Sequence, residues 1–159
     1  MKYLFFLLVF ASGIASAQNT SPKIEKFFIS TLEKGAKSEL YSLTKKNFVY
    51  FYPIAYSFDE TGGIDSLYFS EKTDTRTKEL FGLNHSLLIR MKKHNYKYKE
   101  LSKKIVLVLF YHYRGDDDFV DYSSGFLKSL ENIIPEAVQG KDIIILKPIT
   151  SALLPDIYN

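Results

Sequence analysis

Hydrophobic positions recur first at helical spacing and then in alternation, and the change of period near Asn47 marks the first boundary between a helix and a sheet. Ser21-Pro22 is a typical helix start, because the hydroxyl can cap the helix and proline suits its first turn. An apolar stripe follows, and Gly35 can close the helix, so the pattern predicts a helix over residues 22–34. The stripe consists of Ile24, Phe27, Phe28 and Leu32.

The alternating segment, residues 47–58, is predicted to be a strand with one aromatic face. Pro53 lies inside it, and because proline has no N–H to donate to a ladder, it favours an edge position or a bulge. Asp59 to Gly63 ends in two glycines that suit a tight turn, and alternation resumes from Ile64 to Ser70, which predicts a hairpin. The aromatic face consists of Phe48, Tyr50, Tyr52, Ile54, Tyr56 and Phe58.

The spacing of apolar residues in the middle of the chain predicts a second helix and a central strand. The helix covers about residues 78–95, and Gly82 and Asn84 are expected to divide it into a short turn and a main part. Residues 103–113 form an unbroken apolar run, which is typical of a central strand covered on both faces. Residues 36–46 are ambiguous, since their apolar positions fit either a further helical turn or a lead into the sheet.

The last third of the chain predicts one more helix and one more strand. Ser123 or Ser124 can cap the helix, Asp142 to Leu146 forms the strand, and the tail from Ile149 is expected to be irregular. The predicted order is therefore α-β-β-α-β-α-β. This order is typical of an α+β fold, here with a mainly antiparallel four-stranded sheet covered by helices.

Residues 1–17 have the three parts of a cleavable secretory signal. Lys2 supplies the positive charge, Tyr3 to Phe10 the apolar core, and Ala15-Ser16-Ala17 the cleavage site before Gln18. The apolar stretch is shorter than the roughly 20 residues that span a bilayer, so an uncleaved anchor is the weaker alternative. We expect a periplasmic or secreted protein in which residues 18–159 form a single domain, with no stable membrane insertion after cleavage.

The composition and the missing motifs exclude several kinds of active and binding site. The chain has no cysteine, which excludes disulfides, thiol nucleophiles and thiolate metal sites. Its formal net charge is only +3, and Lys2 of the signal carries one of these charges, so a wide basic face for polyphosphate is not expected. No glycine-rich phosphate loop or G-x-S-x-G motif is present. We expect no cofactor, no nucleic-acid partner and, on balance, no catalysis.

The leading hypothesis is a non-catalytic, exported protein-interaction module. An exposed strand edge accepts an added strand from a partner, and the aromatic face of the Pro53-bearing strand would supply side-chain contacts. A protein partner in the cell envelope is therefore expected. The predicted partner-binding residues are Tyr50, Tyr52, Pro53 and Tyr56.

A second candidate surface is the basic stretch over residues 90–104. Tyr96 and Tyr98 alternate with its lysines, which is typical of nucleic-acid or phosphosugar surfaces. Because an exported protein rarely meets nucleic acid, an anionic envelope component is the expected ligand. The predicted anion-binding residues are Arg90, Lys92, Lys93, Lys97 and Lys99.

A small hydrolase or metal-dependent enzyme is the remaining alternative. Two imidazoles and a carboxylate can hold a transition metal, so His94 and His112 are candidates if the fold brings them together. The carboxylates between the central strand and the third helix are further candidate ligands, although they lack the spacing of a calcium loop. They are Asp116, Asp117, Asp118 and Asp121.

The stretch from Tyr52 to Tyr113 resembles the C-terminal domain of TonB-type proteins. The matching features are Tyr52-Pro53-Ile54 in a strand, the turn from Phe58 to Asp65, the helix from Leu87 to Met91, and the strand from Lys104 to Val108. Where that family has an aromatic-x-Pro sequence before the third strand, this chain has Tyr96-Lys97-Tyr98-Lys99. The resemblance implies a β-β-α-β arrangement and a sheet edge that pairs with a peptide.

Overall fold

The computed structural model describes residues 22–42, 48–114, 121–122, 126–131 and 133–152. The predicted signal, the acidic residues Asp116 to Asp118 and the predicted serine cap lie outside these ranges. The helices are α1 Pro22–Glu33, α2 Glu39–Ser42, α3 Thr75–Phe81, α4 His85–Lys93 and α5 Phe126–Glu131, with 3₁₀ turns at Lys99–Leu101 and Glu136–Val138. The strands are β1 Phe48–Phe58, β2 Ile64–Phe69, β3 Ile105–Arg114, β4 Asp121–Tyr122, β5 Ile143–Ile145 and β6 Ile149–Ala152.

The α+β class is confirmed, and the sheet is mixed but mostly antiparallel. Its order is β2-β1-β3-β5, with β4 beside β1 and β6 beside β3. Strand β1 runs antiparallel to both β2 and β3, whereas β4, β5 and β6 lie parallel to their partners. The described sheet thus has six strands rather than four. The additional strands, β4 and β6, span only two and four residues, too short for a recognisable alternation.

The start of the tail, Ile149–Ala152, was predicted to be irregular but forms a strand, because β3 is longer than its other partner on that side. Strand β5 pairs only with residues from Ile105 to Leu107, and β6 pairs with the later stretch from Phe110 to Tyr113. Backbone groups of β3 beyond β5 are satisfied by β6. This requirement comes from the sheet, and no local pattern in the tail reveals it.

The predicted division of the second helix is confirmed. Helix α3 ends at Gly82, whose φ of 61° lies in the left-handed region that glycine adopts readily. Helix α4 begins at His85, and the side chain of its cap, Asn84, accepts a hydrogen bond of 2.9 Å from the Ser86 N–H. No described helix has the length and apolar character needed to cross a membrane.

Strand β1 has neighbours on both sides, so the predicted edge position of Pro53 is wrong. Phe58 donates its N–H to the Lys104 carbonyl on the β3 side. Because backbone groups alternate sides along a strand, Pro53, an odd number of positions earlier, faces away from β3. On that side the pairing with β2 ends at Ile54 and Phe69. The missing N–H of proline therefore falls just beyond the ladder, where it interrupts no hydrogen bond.

Both faces of the sheet are covered. From Tyr50 onward, the aromatic face of β1 packs with the matching face of β3 against α1, α3 and α4, in one continuous core that includes Phe28, Leu80 and Leu87. On the opposite face a smaller cluster forms around Ala55, Leu107 and Val138. Residues on the two faces alternate along β1 and β3, as expected for strands buried on both sides.

Candidate functional site

The tyrosines predicted to contact a partner lie in the core. Tyr52 and Tyr56 are 0% exposed and Tyr50 is 4% exposed, and Pro53 is also buried. Tyr56 stacks on Phe28 of α1 at a ring distance of 4.1 Å. These side chains stabilise the packing of the helices on the sheet, so they are not a contact surface. The prediction was wrong because an alternating aromatic face looks the same whether helices or solvent cover it.

Tyr52 belongs instead to a buried hydrogen-bond chain. Its hydroxyl lies 2.7 Å from His112 Nε2, and His112 Nδ1 lies 2.6 Å from Ser151 Oγ on β6. Each ring nitrogen of His112 thus has one hydroxyl partner, and the tautomer of the imidazole decides which of these groups donates. Burial lowers the pKa of His112 to about 4, so the ring is neutral near pH 7.

His112, one of the two proposed metal ligands, is buried between Tyr52 and Ser151. His94, the other proposed metal ligand, is exposed and packs against Phe27 and Tyr96. The two histidines thus occupy different surroundings. Among the described residues, no three His, Asp or Glu side chains lie close enough together to hold a metal ion.

Arg90, predicted to bind an anion, points inward. A Cβ added at Gly35 would lie 1.9 Å from Arg90 Nη2, so the guanidinium lies directly against the chain just after α1. Its Nε and Nη2 atoms are buried and have no hydrogen-bond partner among the described residues. The guanidinium faces the carboxyl end of α1, where helix carbonyls carry partial negative charge. Arg90 therefore contributes to helix packing and lies apart from the basic surface.

The exposed aromatic residues of the basic stretch form a cluster around Phe27 of α1. His94 and Tyr96 stack with their rings nearly parallel, 9° apart, at 5.8 Å. Phe27 presents its ring edge-on to both, at 5.7 Å and 5.1 Å, and lies 6.3 Å from the ring of Tyr98. Tyr96 is 54% exposed, and these contacts fix its ring at the surface.

A backbone reversal at Asn95 brings His94 and Tyr96 together. Asn95 has a φ of 49°, in the left-handed region that asparagine tolerates better than most residues. The segment that follows packs on the β1–β2 turn, where the Tyr98 N–H donates to the Gly62 carbonyl at 2.8 Å. Lys97 Nζ donates to Thr61 Oγ1 at 2.6 Å. The hairpin turn therefore holds the aromatic residues in position.

The turn itself is ordered by Asp59. Its Oδ1 accepts hydrogen bonds from the Thr61 N–H, the Thr61 hydroxyl and the Gly63 N–H, at 2.7, 2.7 and 2.9 Å. The Thr61 hydroxyl bond contributes most to a lowered pKa of Asp59, followed by the Gly63 N–H. The carboxylate is thus ionised at neutral pH, and it keeps the turn in the shape on which residues 95–98 pack.

Two adjoining cavities share Tyr96, Lys97 and Phe27, and we name them together the Tyr96 cleft. The larger cavity has a volume of about 650 Å³, and the smaller one about 280 Å³. The larger is also lined by Lys23, Lys26, Ser30, Lys34, His94, Tyr98 and Glu100. The smaller is also lined by Asp59, Gly63, Ile64, Asp65, Met91, Lys92 and Asn95.

The larger cavity is strongly basic, since four lysines and one acidic residue, Glu100, line it. Tyr98 stays protonated there, because partial burial and then the neighbouring Tyr96 and Glu100 raise its pKa to about 12. Its hydroxyl is therefore a hydrogen-bond donor at any physiological pH. A cavity with cationic walls and an exposed aromatic ring is suited to bind an anion attached to a ring-shaped group.

Of the five predicted basic residues, Lys92 and Lys97 line the Tyr96 cleft. Lys93 and Lys99 are exposed but do not line it, and Arg90 is turned inward. The lysines that the sequence analysis missed come from α1 and the residue after it, which are distant from residues 90–104 in the chain. They lie beside the apolar stripe of the predicted helix, and this spacing was the available signal. They are Lys23, Lys26 and Lys34.

In comparisons with known proteins, no model of a protein family, no curated protein and no solved structure matches the chain. The resemblance to the TonB C-terminal domain therefore stays a prediction.

Proposed function

We propose that this protein is an exported, non-catalytic binding module of the cell envelope. Its binding site is the Tyr96 cleft, and its ligand is an anionic envelope component that carries a phosphate or carboxylate group. The observation that carries this proposal is the convergence of Lys23 and Lys26 of α1, and Lys34 just after it, with Lys97 around the exposed Tyr96 ring.

The basic walls of the larger cavity come from two distant segments, which is a stronger argument than a run of lysines in sequence. The α1 lysines and Lys97 are held in one place by the aromatic packing of Phe27 on Tyr96, at 5.1 Å. Like charges repel one another when they are brought together, so an anion that neutralises them gains affinity from an arrangement already formed. Because these charged groups are already close together, less conformational entropy is lost when the ligand binds.

Two phosphate-bearing probes test the proposal: phosphatidylglycerol vesicles, with phosphatidylcholine vesicles as the neutral reference, and inorganic phosphate in solution. We expect the wild-type chain to bind the charged probe and the double substitution Lys23→Gln/Lys26→Gln to weaken binding. Each lysine near an anionic surface contributes about 1 kcal/mol, so vesicle affinity should fall roughly 30-fold. Sedimentation measures vesicle binding, calorimetry measures phosphate binding, and both should weaken with added salt.

The matched control is Lys128→Gln/Lys147→Gln, which removes the same charge from exposed lysines that do not line the cleft. This variant should keep wild-type affinity. Equal losses in the two variants would show that only net charge matters, and they would contradict the proposed site. If wild type binds neither probe at low salt, the proposed function is wrong. Binding of phosphate but not of vesicles would identify a soluble anion, rather than a lipid headgroup, as the ligand.

A second candidate function, capture of an extended peptide, is favoured by the outer edge of β2. Within the described residues β2 pairs only with β1. Ser57 and Ala55 face β2 and pair with Ser66 and Tyr68. The residues of β2 that alternate with Ser66 and Tyr68 therefore direct their backbone N–H and C=O groups away from β1. A partner strand can add at this edge. The edge-strand hypothesis thus moves from β1 to β2.

Leu67→Pro tests strand addition, because the Leu67 N–H points away from β1 and its loss leaves the ladder with β1 intact. Leu67→Ala is the control, since it shortens the side chain but keeps the N–H. We expect one envelope protein to be captured by wild type and by Leu67→Ala and lost with Leu67→Pro. Capture that survives the proline would rule out pairing at β2, and a loss already seen with alanine would point to side-chain packing instead.

A further inference from the structure

We infer that the ligand of the Tyr96 cleft is an acidic saccharide whose sugar ring packs on Tyr96 and whose acid group lies among the α1 lysines. This inference rests on the proposed function and adds the chemical class of the ligand and its direction in the cleft.

Tyr96 borders both cavities and is the shared aromatic surface of the cleft. The C–H groups on one face of a pyranose form an apolar surface that packs against the electron-rich face of an aromatic ring. The Tyr96 ring is fixed for this contact by His94, Phe27 and Tyr98, whose rings lie 5.8, 5.1 and 6.4 Å away. A rigid ring that is 54% exposed provides contact area without losing much entropy on binding.

The two cavities differ in charge, and this difference gives the ligand a direction. The larger cavity is lined by four lysines and only one acidic residue. The smaller cavity is lined by two aspartates and two lysines, Asp59, Asp65, Lys92 and the shared Lys97, so its charges balance. Carboxylates accept hydrogen bonds from sugar hydroxyls and repel phosphate. The acid group of the ligand therefore belongs on the lysine side, and the hydroxyl-bearing end belongs beside the aspartates.

This asymmetry argues against a uniformly charged polymer. A polyphosphate or nucleic-acid strand that crossed Tyr96 would carry its next phosphate from the lysine-rich cavity into one where Asp59 and Asp65 offset the two lysines. A ligand with one acidic end and one neutral, hydroxyl-rich end matches these two cavities better. A single phosphorylated or carboxylated sugar unit has this distribution of groups.

Three soluble probes separate the parts of this inference: glucose 6-phosphate, glucose and inorganic phosphate. We expect the full mature chain to bind glucose 6-phosphate about ten-fold more tightly than phosphate, and glucose weakly. Tyr96→Ala should reduce glucose 6-phosphate affinity to that of phosphate and leave phosphate affinity unchanged. Lys23→Gln/Lys26→Gln should weaken both charged probes. Backbone amide shifts in NMR titrations measure the affinities and report whether each variant is folded.

The control for the aromatic contact is Tyr113→Ala, because Tyr113 is also exposed, at 41%, and does not line the cleft. It should leave all three affinities unchanged, and Tyr96→Phe should retain the preference for the sugar phosphate. Equal affinity for glucose 6-phosphate and phosphate would overturn the saccharide inference and leave the proposed function standing. Adenosine monophosphate is a further probe. If it binds more tightly than glucose 6-phosphate, the ligand is a stacked base and the saccharide inference is overturned. If no charged probe binds, the inference and the proposed function both fail.

Discussion

Gly62→Ala is expected to lower the free energy of unfolding by about 3 kcal/mol and the thermal midpoint by about 8 °C. Gly62 has a φ of 81°, a conformation that costs an alanine about 1–2 kcal/mol. In addition, a Cβ at this position would lie 2.4 Å from the Tyr98 carbonyl oxygen and 2.8 Å from the Lys99 nitrogen. Both are backbone atoms, so no rotation of a side chain relieves the clash.

The same substitution should also remove ligand binding, because the segment that clashes with it carries Lys97 and Tyr98 of the Tyr96 cleft. If the segment moves away from the turn, the hydrogen bond from the Tyr98 N–H to the Gly62 carbonyl is lost. The exposed rings then lose their fixed arrangement around Phe27. Urea unfolding measures the stability, and the phosphate titration measures the binding.

Gly140→Ala is the matched control. Gly140 has a similar φ of 74°, but a Cβ added there would meet no atom within 4 Å. This variant therefore has the conformational strain without the clash, and it should cost about 1 kcal/mol and leave binding intact. The difference between the two variants isolates the contact between the turn and the segment. Equal losses would show that this contact adds no stability.

Acid is expected to destabilise the protein by about 3 kcal/mol through His112 alone. Burial lowers the pKa of His112 to about 4 in the folded state, whereas the ordinary value for histidine is 6.5. Below about pH 6.5 the unfolded chain therefore binds a proton that the folded chain does not. The free energy of unfolding should fall as the pH drops from about 6.5, and this loss should be complete below about pH 4. Urea unfolding across this range measures it.

The variant that tests the assignment is Tyr52→Phe/His112→Phe, because removing His112 alone would leave the buried Tyr52 hydroxyl without its partner. The double variant should lose the pH dependence between about pH 6.5 and about pH 4. Hydrogen bonds lower the pKa values of Asp59 and Glu136, so these carboxylates lose their contribution to stability at lower pH, in the wild type and in the double variant alike. An unchanged curve in the double variant would contradict the assignment to His112.

Local patterns predicted most elements within a few residues, because the cues that start and stop them act through neighbouring atoms. Pro22, Gly82 and Asn84 lie at helix ends in the structure as predicted. The long apolar run became β3, which is covered on both faces as expected. The short strands β4 and β6 were not predictable, since each forms only because a longer strand has free backbone groups beside it.

The sites were predicted less well than the elements, for a different physical reason. Alternation shows that Tyr52 and Tyr56 share one face of a strand, but helices packed on that face decide that they are buried. In the same way, a run of basic residues does not show that the Arg90 side chain turns inward to Gly35 while Lys97 stays at the surface. Burial and side-chain direction depend on elements that are far apart in sequence.

The sequence by itself determined the α+β class, the hairpin around Asp59 to Gly63 and the positions of the main helices, because hydrophobic period, caps and turn residues act over a few positions. Only the tertiary structure decided where the Tyr96 cleft lies. Its lysines come from residues 23–34 and 92–97, its rings from Phe27 and residues 94–98, and its support from Gly62 in the β1–β2 turn. These segments meet because burial of the shared apolar core brings them together, and contacts between distant segments leave no periodic trace in the chain.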